Sequence, residues 1–226
     1  MIGTLYDLMR LAEEYAGYLA GHGVQFDDMG FPLLDRSCFL VERPELMVTF
    51  KERHSSFVKN PKKTALCFFC SDKFIYPRLE RVFDDLPEYN RFMAVAGTDV
   101  TITKDMDMEW QRMLILVNSL FLAVLAINGI KIVPNLRCGL AETWDCLSWI
   151  PERVLVATST LGCQKTDSES NLEFISKILM VRPAAVLMYG KRDAVMEEQL
   201  VRMGVAFIWQ DDVHTLYKKL YRSGAH

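Results

Sequence analysis

The sequence predicts an α/β fold: a mostly parallel sheet with crossover helices, barrel-like in the manner of a TIM barrel whether complete or incomplete, preceded by an N-terminal helix. Three observations predict it. First, seven short apolar runs recur from residue 47 onward: Met47–Phe50, Ala65–Phe69, Phe92–Thr98, Ile130–Pro134, Arg153–Thr158, Ala184–Tyr189 and Val205–Trp209. They are apolar at consecutive rather than alternate positions, as strands buried on both faces require. Second, helix-like segments separate the later runs, and strand–helix–strand alternation builds a parallel sheet with right-handed crossovers. Third, the units repeat without an obvious reversal of strand order, which favours a barrel with one irregular stave over an open sheet.

The elements follow in order. Over residues 4–20, Leu5, Leu8, Leu11, Ala12, Tyr15, Ala16 and Leu19 form a helical stripe. Thr4 with Asp7 makes a capping-box-like start, and Gly21 and Gly23 end the helix. Residues 24–46 show no clear period and contain Gly30, Pro32 and Pro44, an irregular segment packed through Phe26, Phe31 and Phe39. Asp107–Asn128 reads as a long apolar helix. Ser168–Val181 is capped by Asp167 or Ser168 and stops before Pro183, Arg192–Met203 ends at Gly204, and Val213–Tyr221 closes the chain. The expected organisation is one α/β domain over residues 1–226, with 1–46 as helix and irregular packed segment and 47–226 as the repeating body.

Composition narrows the function classes. The 226 residues are 50% hydrophobic and 24% charged, with a formal net charge of −3, so charge gives no general reason to expect nucleic acid or an anionic membrane. The basic run Lys59–Lys63 reads as a solvated loop. The first fifteen residues show no basic region followed by an apolar one, so no secretory signal is expected. Six scattered cysteines suit reduced thiols in a cytoplasmic protein rather than a disulfide framework. Met113–Ile130 is nearly long enough to cross a bilayer. Asn118, Ser119 and Asn128 interrupt it, and a helix sandwiched in a large core fits as well; no membrane partner is expected.

Parallel α/β folds place ligands beyond the carboxyl ends of their strands. Asp72 and Asp99 fall at consecutive strand ends, with Asp105 soon after. Carboxylates there serve as general acid and base or bind a metal, against the plainer reading that they cap helices or turns. Asn135 and Arg137 follow the next run, Ser159, Thr160 and Gly162 the one after, and Lys191 the sixth. Small hydroxyls, backbone N–H groups and an ammonium suit a phosphate or other anion. Neither a Walker A loop nor a dinucleotide Gly-x-Gly-x-x-Gly occurs, and no cofactor is indicated. Cys67 and Cys70 resemble half a zinc site, but on a strand positions three apart face opposite sides, and no second close pair follows, so no metal is expected. His22, His54, His214 and His226 lie too far apart for a His-based triad.

Phe68-Phe69-Cys70-Ser71-Asp72 with Phe74, Thr98-Asp99 with Asp105-Met106, Asn128 to Pro134, Val156 to Gly162, and Val186 to Lys191 carry a resemblance over about Pro44 to Gly190. In order and spacing the chain resembles the family called domain of unknown function 4417, found in bacteria, phages and mobile elements. It departs where a Pro-Asp-Phe-Ser-like element stands as Thr98-Asp99-Val100-Thr101, and where a tryptophan expected after Pro134 is absent from Asn135–Cys138. The resemblance implies a phage or mobile-element setting and no particular reaction. Two functions follow. One is an enzyme with a phosphate-bearing ligand, a nucleotide or sugar phosphate, at the strand ends. The other is a non-catalytic accessory protein for a host protein or nucleic-acid factor.

Overall fold

The structure is a computed structural model that describes residues 2–161 and 168–222. The chain begins with α1 (Leu5–Gly21), whose capping box pairs Thr4 with Asp7, and whose buried stripe includes Leu8, Leu11, Tyr15 and Leu19. A two-residue hairpin, β1 (Gln25–Phe26) with β2 (Pro32–Leu33), orders part of the segment expected to be irregular. The body then runs β3 (Leu46–Thr49), β4 (Thr64–Phe68), α2 (Asp72–Glu80), α3 (Val82–Tyr89), β5 (Ala94–Thr98), α4 (Met108–Ile127), β6 (Ile132–Val133), β7 (Leu155–Ser159), α5 (Ser168–Val181), β8 (Ala185–Tyr189), α6 (Ala194–Arg202), β9 (Ala206–Gln210) and α7 (Val213–Arg222).

All seven predicted runs are strands, and every ladder among them is parallel. They form a four-stranded sheet, β3-β4-β5-β6, and a three-stranded sheet, β7-β8-β9. A parallel bridge between Asn135 and Ala157 links the two, with Ala157 N donating to the Pro134 carbonyl (2.7 Å) and Leu136 N to the Ala157 carbonyl (3.0 Å). Strand order therefore follows chain order throughout.

The predicted barrel is corrected at its closure. Among the described residues no ladder joins β9 to β3. Instead the buried Gln210 side chain donates through Nε2 to the Pro44 carbonyl (3.2 Å). Pro44 has no N–H with which to extend a ladder ahead of β3.

Burial on both strand faces divides the core in two. Val48, Leu66, Phe68, Val95, Ile132, Val156, Val186 and Met188 face the helices in the larger cluster. Their neighbours in sequence, including Met47, Ala65, Cys67, Ala94, Ala96, Val133, Ala157 and Leu187, form a second cluster shared by both sheets. That shared interior is rich in alanine, which lets the sheet faces approach closely. Each fully buried Leu, Val or Phe contributes roughly 1.5–3 kcal/mol.

α4 is long and apolar enough to cross a membrane by length and composition, yet 72% of its most apolar stretch is buried inside the protein. α1 packs along it, and Tyr15 Oη donates to the Leu79 carbonyl at the end of α2. One of its deeply placed amides is Asn118. Asn118 Oδ1 accepts from Thr98 N (2.6 Å) and Thr98 Oγ1 (2.9 Å), while its Nδ2 donates to Asn135 Oδ1 (2.8 Å). Asn135 Nδ2 closes the circuit on the Thr98 carbonyl (2.7 Å). Gly97 leaves room for it, since a Cβ there would lie 2.5 Å from Asn135 Oδ1.

Removing that amide leaves the Thr98 N–H and the Asn135 carbonyl oxygen buried without partners, at about 1–3 kcal/mol each. Asn118→Ala is expected to lower unfolding free energy by about 2–4 kcal/mol in urea titrations. A loss under about 0.5 kcal/mol, the range of an indifferent surface change, would show that the circuit is dispensable.

Candidate functional site

Three of the predicted site residues converge past the ends of β4, β5 and β6. β4 ends at Phe68, the chain turns through Phe69, Cys70 and Ser71, and Asp72 opens α2. A carboxylate in a helix's first turn is favoured by the helix dipole. Asp72 Oδ1 also accepts from Thr101 N (3.1 Å), which ties the start of α2 to the loop after β5. Asp99 follows the last residue of β5 directly and is 22% exposed. Arg137, two residues past the Asn135 amide, places Nε 3.8 Å from Asp99 Oδ1. That Nε is buried and makes no hydrogen bond.

The electrostatics follow from this crowding. Burial pushes the Asp99 carboxyl above the ordinary carboxylate range; the Arg137 guanidinium pulls it back and the negative charge of Asp72 adds to the rise. Cys70 lies in the same field. Burial and the charges of Asp99 and Asp72 push its thiol up to about 11, against the opposing charge of Lys51. Cys70 is therefore a neutral thiol near neutral pH, not a ready nucleophile. A carboxyl whose protonated form is favoured, as at Asp99, suits proton transfer. The Arg137 Nε–H, buried and without a hydrogen bond, lies beside the same carboxylate.

A second group forms at the ends of β7 and β8. Thr160 N donates to the Tyr189 carbonyl (3.0 Å), Thr160 Oγ1 to the Lys191 carbonyl (2.8 Å), and Leu161 N to Ser159 Oγ (3.0 Å). Gly190, at φ +115, gives Thr160 its space: a Cβ there would meet Thr160 Oγ1 at 2.7 Å. These N–H groups and the Thr160 hydroxyl thus hold the two turns together. Gly162, the other residue expected in this cradle, lies outside the described residues. The Lys191 side chain is on the exposed surface. Across the interior the Phe69 and Tyr189 rings stack at 5.6 Å, linking the β4 and β8 ends.

The remaining predictions land elsewhere. Asp105 is exposed, and a hydrogen bond from the Thr103 side chain lowers its pKa. Asn135 is 3% exposed and fully engaged with Asn118 and Thr98, a structural amide. Cys67 belongs to the shared interior, while Cys70, two residues past the end of β4, packs against the larger cluster. Among the described residues no cluster of three or more His, Cys, Asp or Glu is arranged to hold a metal ion. Lys51, which acts on Cys70, was accessible to the strand-end rule: it immediately follows the first run, Met47–Phe50.

Comparison with known proteins gives one family. The model of the family described as domain of unknown function DUF4417 matches residues 26–208, a span that includes every residue of both groups. No curated protein and no solved structure matches the chain.

The raised Asp99 carboxyl makes a pH-dependent prediction. The unfolded chain ionises Asp99 at its ordinary pKa, about 3.9, whereas the folded chain resists ionisation until higher pH. The stability tied to this residue is therefore complete below about pH 3.9 and is lost as pH rises through the folded value. Asp99→Asn, neutral and of the same shape, should flatten that decline and be at least as stable as the parent near neutral pH in thermal melts. A destabilised Asp99→Asn with an unchanged pH profile would mark the carboxylate as a structural partner of Arg137.

Proposed function

The chain belongs to the family described as domain of unknown function DUF4417, and from that premise we propose that it is an enzyme acting on a small anionic substrate, a nucleotide or sugar phosphate, beyond the carboxyl ends of its parallel strands. Asp99 is the acid–base group, Asp72 the neighbouring carboxylate that raises its proton affinity, and Arg137 the residue that takes an anionic oxygen. One observation carries the reading: a half-buried carboxyl with a raised pKa faces a guanidinium whose Nε is buried without a hydrogen-bond partner. Perturbed carboxyls beside a specific charge partner are candidates for functional sites. The barrel-like reading belongs to the same proposal, supported by strands in chain order and by the interior shared between the sheets. So does a bacterial cytoplasm hosting a phage or mobile element, supported by the family resemblance and by the free thiols of Cys38, Cys67, Cys70, Cys138 and Cys146.

The second reading, an accessory protein binding a host protein or nucleic-acid factor, draws on the turns after β7 and β8. Their donors serve the fold, which suits a polar rim without a catalytic task.

A thermal-shift screen of nucleotides and sugar phosphates separates the two. A ligand present at about one hundred times its Kd stabilises by about 2.7 kcal/mol, a readily measured rise in Tm. The expected result is stabilisation of the parent by at least one such compound, lost in Arg137→Met, with Asp99→Asn still binding but unable to turn the compound over. No stabilising compound, or one indifferent to Arg137→Met, would leave the accessory-protein reading in front.

A further inference from the structure

A groove of about 310 Å³ lies between the turn after β3 and one face of α2, lined by Phe50, Lys51, Arg53, Lys73, Phe74, Pro77 and Arg78. The helix residues fall on one face because positions three and four apart on a helix are neighbours. No carboxylate lines the groove. The cations are interleaved with the rings. Lys51 and Lys73 both bring Nζ over Phe74, 5.5 and 5.1 Å from its centroid. Arg53 and Arg78 lie over Phe50 at 4.2 and 5.3 Å.

Compensation behind the groove is uneven. Arg78 is held by Asp85, its Nη1 2.9 Å from Oδ2. Among the described residues the one carboxylate paired with Arg53 is Glu88, at 3.5 Å, and Glu88 is shared with Arg91 and His54. Lys51 and Lys73 have no carboxylate partner among the described residues. Each brings an ammonium group to the same ring, and an anion held by both offsets their like charge. Phe74 is 39% exposed. An exposed ring with cations beside it, in a groove walled by Phe50 and Pro77, matches the way proteins hold nucleotides: charge on the phosphate and an aromatic face on the base. The volume lies at the lower end of small-molecule sites.

We propose that this groove binds a nucleotide, its phosphate between Lys51 and Lys73 and its base packed on Phe74. The groove shares no lining residue with Asp72, Asp99 and Arg137, so the two sites stand or fall separately. It adjoins them through Cys70, whose thiol responds to Lys51 on one side and to Asp72 and Asp99 on the other.

The test uses the full chain with three probes: ATP, a short fluorescein-labelled single-stranded thymidylate oligomer, and inorganic pyrophosphate. The expected result is binding of ATP or the oligomer that weakens about tenfold or more in a Lys51→Ala, Lys73→Ala double variant and about fivefold or more in Phe74→Ala. All these side chains are on the surface or rim, so melting curves should stay close to the parent's. If the oligomer is the ligand and two phosphate contacts are made, its affinity should fall about sevenfold between about 50 and about 200 mM salt. ATP binding without oligomer binding assigns a free nucleotide; the reverse assigns a strand. Pyrophosphate binding as tightly as ATP, unmoved by Phe74→Ala, would overturn the nucleotide assignment. Binding of neither nucleotide probe, or binding indifferent to the double lysine variant in a folded protein, would overturn the site.

Discussion

The Asn118 amide is the constraint on which the arrangement of the strand ends depends. A helix as apolar as α4 is drawn into the core by area alone, and area sets neither its rotation nor its depth. An amide that must find partners sets both. Asn118 takes the N–H and hydroxyl of Thr98 and donates to Asn135, which returns a bond to the Thr98 carbonyl. About two turns earlier, the fully buried Gln111 does the same for the loop after β6. Its Oε1 accepts from Leu140 N (2.8 Å) and its Nε2 donates to the Met106 carbonyl (2.8 Å). Gly139 leaves that amide room: a Cβ there would fall 1.9 Å from Gln111 Oε1.

The consequence for the site is direct. Thr98 precedes Asp99 and Asn135 stands two residues before Arg137, so one circuit fixes the backbone on both sides of the carboxylate–guanidinium contact. Held there, Asp99 is half-buried beside Asp72 whether or not its charge is welcome. The chain carries a net charge of −3, yet α2 divides the signs sharply. Its first residue contributes a carboxylate to the strand-end cluster, while Lys73 and Arg78 line the adjoining groove.

The parts of the fold legible in the sequence were those governed by burial. Apolar runs at consecutive positions marked all seven body strands, and the apolar stripe and caps marked α1, α4, α5, α6 and α7. α2 and α3 were missed because each contains a proline, Pro77 and Pro87, where a proline usually argues against a helix interior. The β1–β2 hairpin is too short to show a period. Asp72, Asp99 and Arg137 lie together because parallel strands deliver their ends to one rim. The strand-end rule could not tell Asn135 apart from them, since a polar residue facing the core and one facing a ligand look alike in one dimension. The groove was invisible for a further reason: four of its seven lining residues come from the unrecognised α2. Its net positive character is local, and overall charge averages it away.

The most direct test of this account is the titration of Asp99 itself, followed by carbon-13 NMR of its side-chain carboxyl in the folded protein and in Asp72→Asn. Burial beside Asp72 predicts a midpoint above the ordinary value of about 3.9, shifted downward when the neighbouring charge is removed. A midpoint at or below the ordinary value, unmoved by Asp72→Asn, would show that the two carboxylates do not share a site and would contradict the account.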